Sequence, residues 1–168
     1  MKKLGVKFCL GLLVGCVFFS AFNTRASNMM ETVQGLSPCP NSPNCVCSDE
    51  PIDSKQYITP IVSANTELNG EEASDNSRGQ QLLVAIADYL QNRDEFQIIV
   101  QTENALKVEA RTLLLRFVDD IDMQVRGERV YVRSASRVGF FDFGKNRSRL
   151  EELRTQMVED GMAQPLSK

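Results

Sequence analysis

A chain of 168 residues that is 42% hydrophobic and 24% charged has room for one domain with a single core. It contains neither histidine nor tryptophan, which excludes Ser-His-Asp and Cys-His nucleophile pairs and any His-ligated zinc. The formal net charge is −3, and it becomes −7 once Lys2, Lys3, Lys7 and Arg25 of the leader are set aside, a balance that argues against nucleic acid as a partner.

The leader, residues 1–26, opens with Met1-Lys-Lys and continues through an apolar run from Phe8 to Phe22. That run is shorter than the ~20 residues of a comfortable membrane span, so it reads as an export signal. Thr24-Arg25-Ala26 offers a signal-peptidase site before Ser27. Leu13-Val14-Gly15-Cys16 offers the alternative, a lipoprotein signal ending before a lipidated Cys16, which would be the chain's one route to a membrane. Either route places the mature protein in a periplasm or cell envelope.

Residues 27–79 form a Cys- and Pro-containing arm followed by an acidic linker, with eight acidic and two basic residues. In Leu36-Ser-Pro-Cys39-Pro-Asn-Ser-Pro-Asn-Cys45-Val-Cys47 the prolines and asparagines favour tight turns that bring Cys39 and Cys45 together as a disulfide in an oxidising compartment. Two other chemistries fit the same thiols: a strained, redox-active Cys45–Cys47 pair, and a three-thiolate soft-metal site. Further on, Tyr57-Ile-Thr-Pro-Ile-Val62 reads as an edge strand because of Pro60.

The domain proper is expected over residues 80–160, with 161–168 as a tail. Gln80 to Arg93 carries Leu82, Leu83, Ile86, Ala87 and Leu90 in a helical stripe. Phe96–Thr102, Ala105–Arg111 and Leu113–Val125 then read as an antiparallel meander. A turn at Arg126-Gly-Glu-Arg129 leads into Val130–Ser136, and its register sets Asp119, Ile121, Met123 and Val125 on one face with Val130, Val132, Ser134 and Ser136. The opposite face pairs Asp122 with Arg133. A last helix starts near Phe143 behind Asp142, or at Ser148 with Glu151 as a capping box, and Phe143, Asn146, Leu150, Leu153 and Met157 share its inner face. The fold class is therefore α+β: an antiparallel sheet of four to five strands, two packed helices and a disulfide-braced arm.

That register turns Asp119, Ser134, Ser136 and Asn146 inward together. One reading is a satisfied internal network that locks the helix onto the sheet. Another is an anion site, with Ser134, Ser136 and Asn146 donating, Arg137 and Arg147 clamping, and Asp119, Arg133 and Asp142 in support. A third is hydrolytic chemistry using Asp119 or Asp142 with Arg137 or Arg147. Asp120 and Asp122 share a strand face but lack further ligands for a cation, and no cofactor is called for.

The pieces Leu36–Val46, Leu115-Arg-Phe-Val-Asp-Asp-Ile121, Val132-Arg-Ser-Ala-Ser-Arg-Val-Gly139 and Asp142-Phe-Gly-Lys-Asn-Arg-Ser-Arg149 together resemble domain-of-unknown-function family 1499, found in exported bacterial and chloroplast proteins. The resemblance implies a shared α+β domain but no activity. The family usually has serine where this chain has Cys47, which implies that Cys39 pairs with Cys45. The functional expectation is an exported, non-enzymatic envelope protein that binds a small anionic group or an envelope protein through the basic strand-to-helix region.

Overall fold

The computed structural model describes residues 35–64, 67–68, 71–72, 74–112 and 117–166. The leader, including Cys16 and both processing sites, lies outside the described residues. The chain runs β1 (Cys45–Cys47), β2 (Ile61–Val62), β3 (Glu67–Leu68), β4 (Glu71–Glu72), α1 (Asp75–Gln91), β5 (Phe96–Gln101), β6 (Ala105–Arg111), β7 (Val118–Arg126), β8 (Arg129–Ser136) and α2 (Lys145–Glu159). The fold is α+β, with two helices packed on an antiparallel sheet.

The antiparallel meander β5 to β8 forms as expected: β6 and β7 alternate inward apolar with outward polar residues, and Asn104 and Gly127 stand in the β5–β6 and β7–β8 turns, while residues 113–116 of the expected Leu113–Val125 strand lie outside the described residues. Gly127 provides the left-handed residue of the β7–β8 turn at φ 62°, and Arg126 lies opposite Arg129, which confirms the expected register. The sheet has six strands where four or five were expected, because the arm supplies two of them. Along the free edge of β8, β1 pairs with Arg133–Ala135 and β2 with Arg129–Val130, while the main order is β1-β8-β7-β6-β5. β3 and β4 make a separate two-stranded hairpin inside the expected linker.

One sheet face carries Leu106, Val108, Ala110, Ile121, Met123, Val125, Val130 and Val132, all buried against Leu82, Leu83, Ile86 and Leu90 of α1 and Leu150, Leu153 and Met157 of α2. Each of these side chains larger than alanine contributes about 1.5–3 kcal/mol by leaving water. Helix α1 starts at Asp75, five residues before Gln80, because Ser74 caps it by accepting from the Ser77 amide. Its buried Gly79 lies where an added Cβ would stand 2.2 Å from the Gly127 carbonyl oxygen, so the glycine permits close approach of α1 to the β7–β8 turn. The tail is also docked: Ala163 is buried and bridged to Ser63, and the Gln164 amide donates to the Val62 carbonyl.

The start of the last helix differs from both expectations. Gly144 stands at the cap position with φ 76°, and the helix begins at Lys145. Phe143 therefore lies outside it, and instead of sharing the inner face with Leu150 it is 99% exposed, at φ 55°.

The arm is fixed by a disulfide between Cys39 and Cys45 and by an ion pair at its start. Arg126 donates from Nη1 and Nη2 to the two Asp49 carboxylate oxygens at 2.7 Å each, and its guanidinium lies 4.2 Å from the Tyr131 ring centre. The Arg126 hydrogen bonds hold the Asp49 carboxyl below its ordinary value. A depressed folded-state value adds stability that is fully present above the unfolded pKa of about 3.9 and is lost as pH falls through the folded value. The urea midpoints of wild type and Arg126→Gln should thus differ by a constant amount at neutral pH and converge on acidification below about pH 4. A difference that persists undiminished in acid would show that the pair does not hold the arm.

Candidate functional site

The junction of β8 and α2 gathers most of the residues singled out by sequence, and it resolves into three parts. The innermost is a sealed network. Asn146 is 0% exposed: its Oδ1 accepts from the Ser134 hydroxyl at 2.5 Å and from Arg149 Nη1 at 3.3 Å. Its Nδ2 lies 3.0 Å from the Asn44 carbonyl oxygen, 2.9 Å from Ser136 Oγ and 2.9 Å from Asp142 Oδ2. Asp119, 4% exposed, accepts from Arg149 Nη2 at 2.8 Å. A buried carboxylate needs donors, and those near in sequence are Ser134, Ser136, Asn146 and whichever of Arg137 or Arg147 folds over the edge. The partner is Arg149, which the sequence reading did not place inside.

The second part joins α2 to the arm. Arg147 Nη2 donates to the carbonyls of Lys55 and Tyr57 at 2.9 and 2.7 Å. Arg154, buried one helical repeat further on, donates to the carbonyls of Pro60 and Thr59 and to Glu151. The residues between β1 and β2 thus have backbone acceptors satisfied by guanidinium donors from α2. Arg147 and Arg154 act as cross-links, since their donors are directed at the protein's own backbone.

Arg137 belongs elsewhere. It leaves the junction for the outer sheet face, where it donates to Asp120 at 2.9 and 2.6 Å and to Glu109 at 2.6 Å. Asp120 first and Glu109 second raise its pKa above the ordinary arginine value, while Arg111 and then Arg137 hold Glu109 below the usual carboxylate value. Glu109, Asp120 and Arg137 line an open cleft of about 310 Å³ with Ile99, Lys107, Asp122 and Arg133. Three cations there face three carboxylates, including the expected Asp122–Arg133 pair at 3.5 Å, so the cleft carries no net charge to draw an anion. The five residues of the anion-site expectation are therefore divided: Ser134, Ser136, Asn146 and Arg147 stand at the junction, and Arg137 on the far face. Among the described residues no group of three Cys, Asp or Glu is placed to hold a metal ion.

The third part is the loop that these contacts support. Asn44 Nδ2 donates to the Gly139 carbonyl at 2.5 Å, fixing one end. Asp142 fixes the other by accepting from the amides of Gly144 and Asn146 at 3.0 and 2.8 Å, a carboxylate set at the positive end of α2. Around these ties the chain projects Val138, Phe140, Phe141 and Phe143, exposed at 65%, 59%, 64% and 99%. Phe140 and Phe141 meet edge to face at 4.9 Å. The sequence periods assign Phe143 to the inner face of the helix and give Phe140 and Phe141 no role. The loop's signal was available: four large apolar residues between Arg137 and Gly144 that follow neither a strand nor a helix period.

The cysteines complete the inventory. Cys47 is a free, buried thiol, and burial pushes its pKa up, so little thiolate is present at neutral pH. In a disulfide-reduction assay Cys47→Ser is expected to match the wild-type rate; a lost rate would instead establish thiol chemistry at β1. No helix among the described residues is long and apolar enough to cross a membrane.

No curated protein and no solved structure matches the chain. The model of one family, described as a protein of unknown function (DUF1499), matches residues 35–157, which takes in the disulfide, the sheet, the sealed network, the exposed loop and most of α2. The chain belongs to the DUF1499 family.

Proposed function

We propose that this is an exported, non-enzymatic envelope protein that docks a partner through the loop between β8 and α2. The observation that carries the reading is the exposure of Val138, Phe140, Phe141 and Phe143 on a loop tied at one end by the buried Asn44 side chain and at the other by the Asp142 carboxylate. Large apolar side chains held out in water by a rigid base cost solubility and contribute nothing to a core, which is the pattern of a contact surface. Export is supported by the basic-then-apolar leader and by a disulfide that needs an oxidising compartment.

A small anion at Ser134 and Asn146 would have to break hydrogen bonds that are already made, in a place closed to water. Hydrolysis by Asp119 or Asp142 meets the same obstacle, since one carboxylate is ion-paired inside and the other is spent on the start of α2. Arg147, the clamp in both readings, is likewise engaged by arm carbonyls.

Hydrogen exchange of the purified protein, with and without the envelope fraction of its own cell, tests docking. The expected result is protection of peptides spanning residues 137–145 with no change over β5, whose Ile99 and Val100 are also exposed. Protection of β5 with none at the loop would place the contact elsewhere and overturn the reading.

A further inference from the structure

Residues 138–143 read Val-Gly-Phe-Phe-Asp-Phe, and the single charge among them is turned inward. Both Asp142 oxygens accept from the start of α2, Oδ1 from the Gly144 amide and Oδ2 from the Asn146 amide and side chain. What the loop shows to its surroundings is therefore apolar side chains, with no hydroxyl, indole or guanidinium to orient a partner. Stereospecific protein interfaces concentrate their energy in Trp, Tyr and Arg anchors seated in pockets. Insertion into a lipid interface asks only for apolar area, absence of outward charge, and cations at the rim.

The rim supplies such cations. Lys145 is exposed at the first position of α2, and Lys55 is exposed on the arm where its carbonyl is held by Arg147, beside the same helix start. Phe143 adds a conformational argument. A bulky residue in the left-handed region is disfavoured by roughly 1–2 kcal/mol, and a ring that is 99% exposed recovers none of this from the protein's own interior. The conformation throws the ring clear of the turn, where only an external apolar phase can cover it.

Resting on the docking reading above, we infer that the partner is a lipid bilayer surface, into which Val138, Phe140, Phe141 and Phe143 insert to the depth of the headgroup–acyl boundary while Lys145 and Lys55 meet lipid phosphates. The sequence before the fold suits this. If Cys16 is lipidated, that anchor already holds the chain at a membrane, and the loop adds a second contact at high effective concentration. The twenty residues from Cys16 to Leu36, whose amide is fixed on Asp49, span up to about 70 Å when extended, enough for both contacts to reach one membrane.

The absence of tryptophan makes the test specific, because Phe143→Trp in the full chain reports from the loop alone, whatever the leader does. The control is Val84→Trp on α1, a site also more than half exposed. Both are titrated with phosphatidylcholine vesicles, with and without phosphatidylglycerol. The Phe143→Trp emission is expected to shift to the blue and to be quenched by lipids brominated on their acyl chains, while Val84→Trp does neither. Lys145→Ala should weaken the apparent affinity about fivefold, and only with the anionic vesicles, the factor expected for one lysine at an anionic surface.

An unshifted and unquenched Phe143→Trp, in a chain that still sediments with the vesicles through its leader, overturns the lipid assignment. So does an equal shift at Val84→Trp. If the loop is nevertheless protected by the envelope fraction in hydrogen exchange, docking stands and its partner is a protein. If it is not, both readings fall together.

Discussion

Asp119→Ala is expected to destabilise the protein by about 3–5 kcal/mol, the cost of leaving one member of a buried ion pair alone. Arg149 would lose its 2.8 Å carboxylate partner while its side chain is only 9% exposed, with Asn146 Oδ1 at 3.3 Å as its remaining acceptor in the network. Urea unfolding reads the loss directly. The double variant Asp119→Leu/Arg149→Leu should recover most of it, because well-packed apolar residues often replace a buried pair at little cost. A loss below about 1 kcal/mol in the single variant would mean that Arg149 swings out to water, and that the pair does not secure α2 to β7.

Asn146→Leu is expected to cost about 2–4 kcal/mol, for a different reason. The leucine fills the space but leaves the Ser134 hydroxyl, itself 0% exposed, without its acceptor. It also removes the amide that links Asn44, Ser136 and Asp142, the residues on which both ends of the loop rest. Hydrogen exchange over residues 138–144 should therefore quicken by more than the drop in global stability accounts for. Asn146→Asp preserves an acceptor for Ser134 but sets a second carboxylate beside Asp142, so it should be no better tolerated than leucine. If Asn146→Leu left both the urea midpoint and the loop exchange unchanged, the network would not be what holds the loop.

These two variants mark what could be read from the sequence. The β7–β8 register was legible because a turn centred near Gly127 and strict alternation on both strands leave one pairing that buries the apolar face, and that pairing alone turned Asp119, Ser134 and Ser136 inward. The partners of that cluster were less legible. Asn44 lies 102 residues from Asn146, in a segment that reads as a loop because β1 is three residues long, too short to show a period. Charged-residue statistics place arginine outside, so Arg149 and Arg154 read from the sequence as surface residues. They are buried because a carboxylate and a run of arm carbonyls need donors there, a demand visible only once the arm is known to pack against α2.

Arg137 and Phe143 were misplaced through a shared cause. The strand and helix periods were carried into a junction where neither holds. Beyond Ser136 the chain leaves β8, so Arg137 folds back over Asp120 and Glu109; before Lys145 the helix has not begun, so Phe143 escapes the inner face. Residues that break the local rules with no gain in packing are where function is most often found, and here they are the aromatic side chains.

The junction thus separates two parts: an internal frame of Asp119, Ser134, Asn146 and Arg149, and an exposed loop from Val138 to Phe143, to which the proposal assigns the contact. The measurement that tests this division most directly places a photoreactive benzophenone amino acid at position 143, and in a second sample at position 99, and irradiates each in the intact cells that make the protein. Position 99 is a fair control, since Ile99 is also exposed, at 49%. The account predicts adducts from position 143 that far exceed those from position 99. Equal yields, or adducts from position 99 alone, would contradict it.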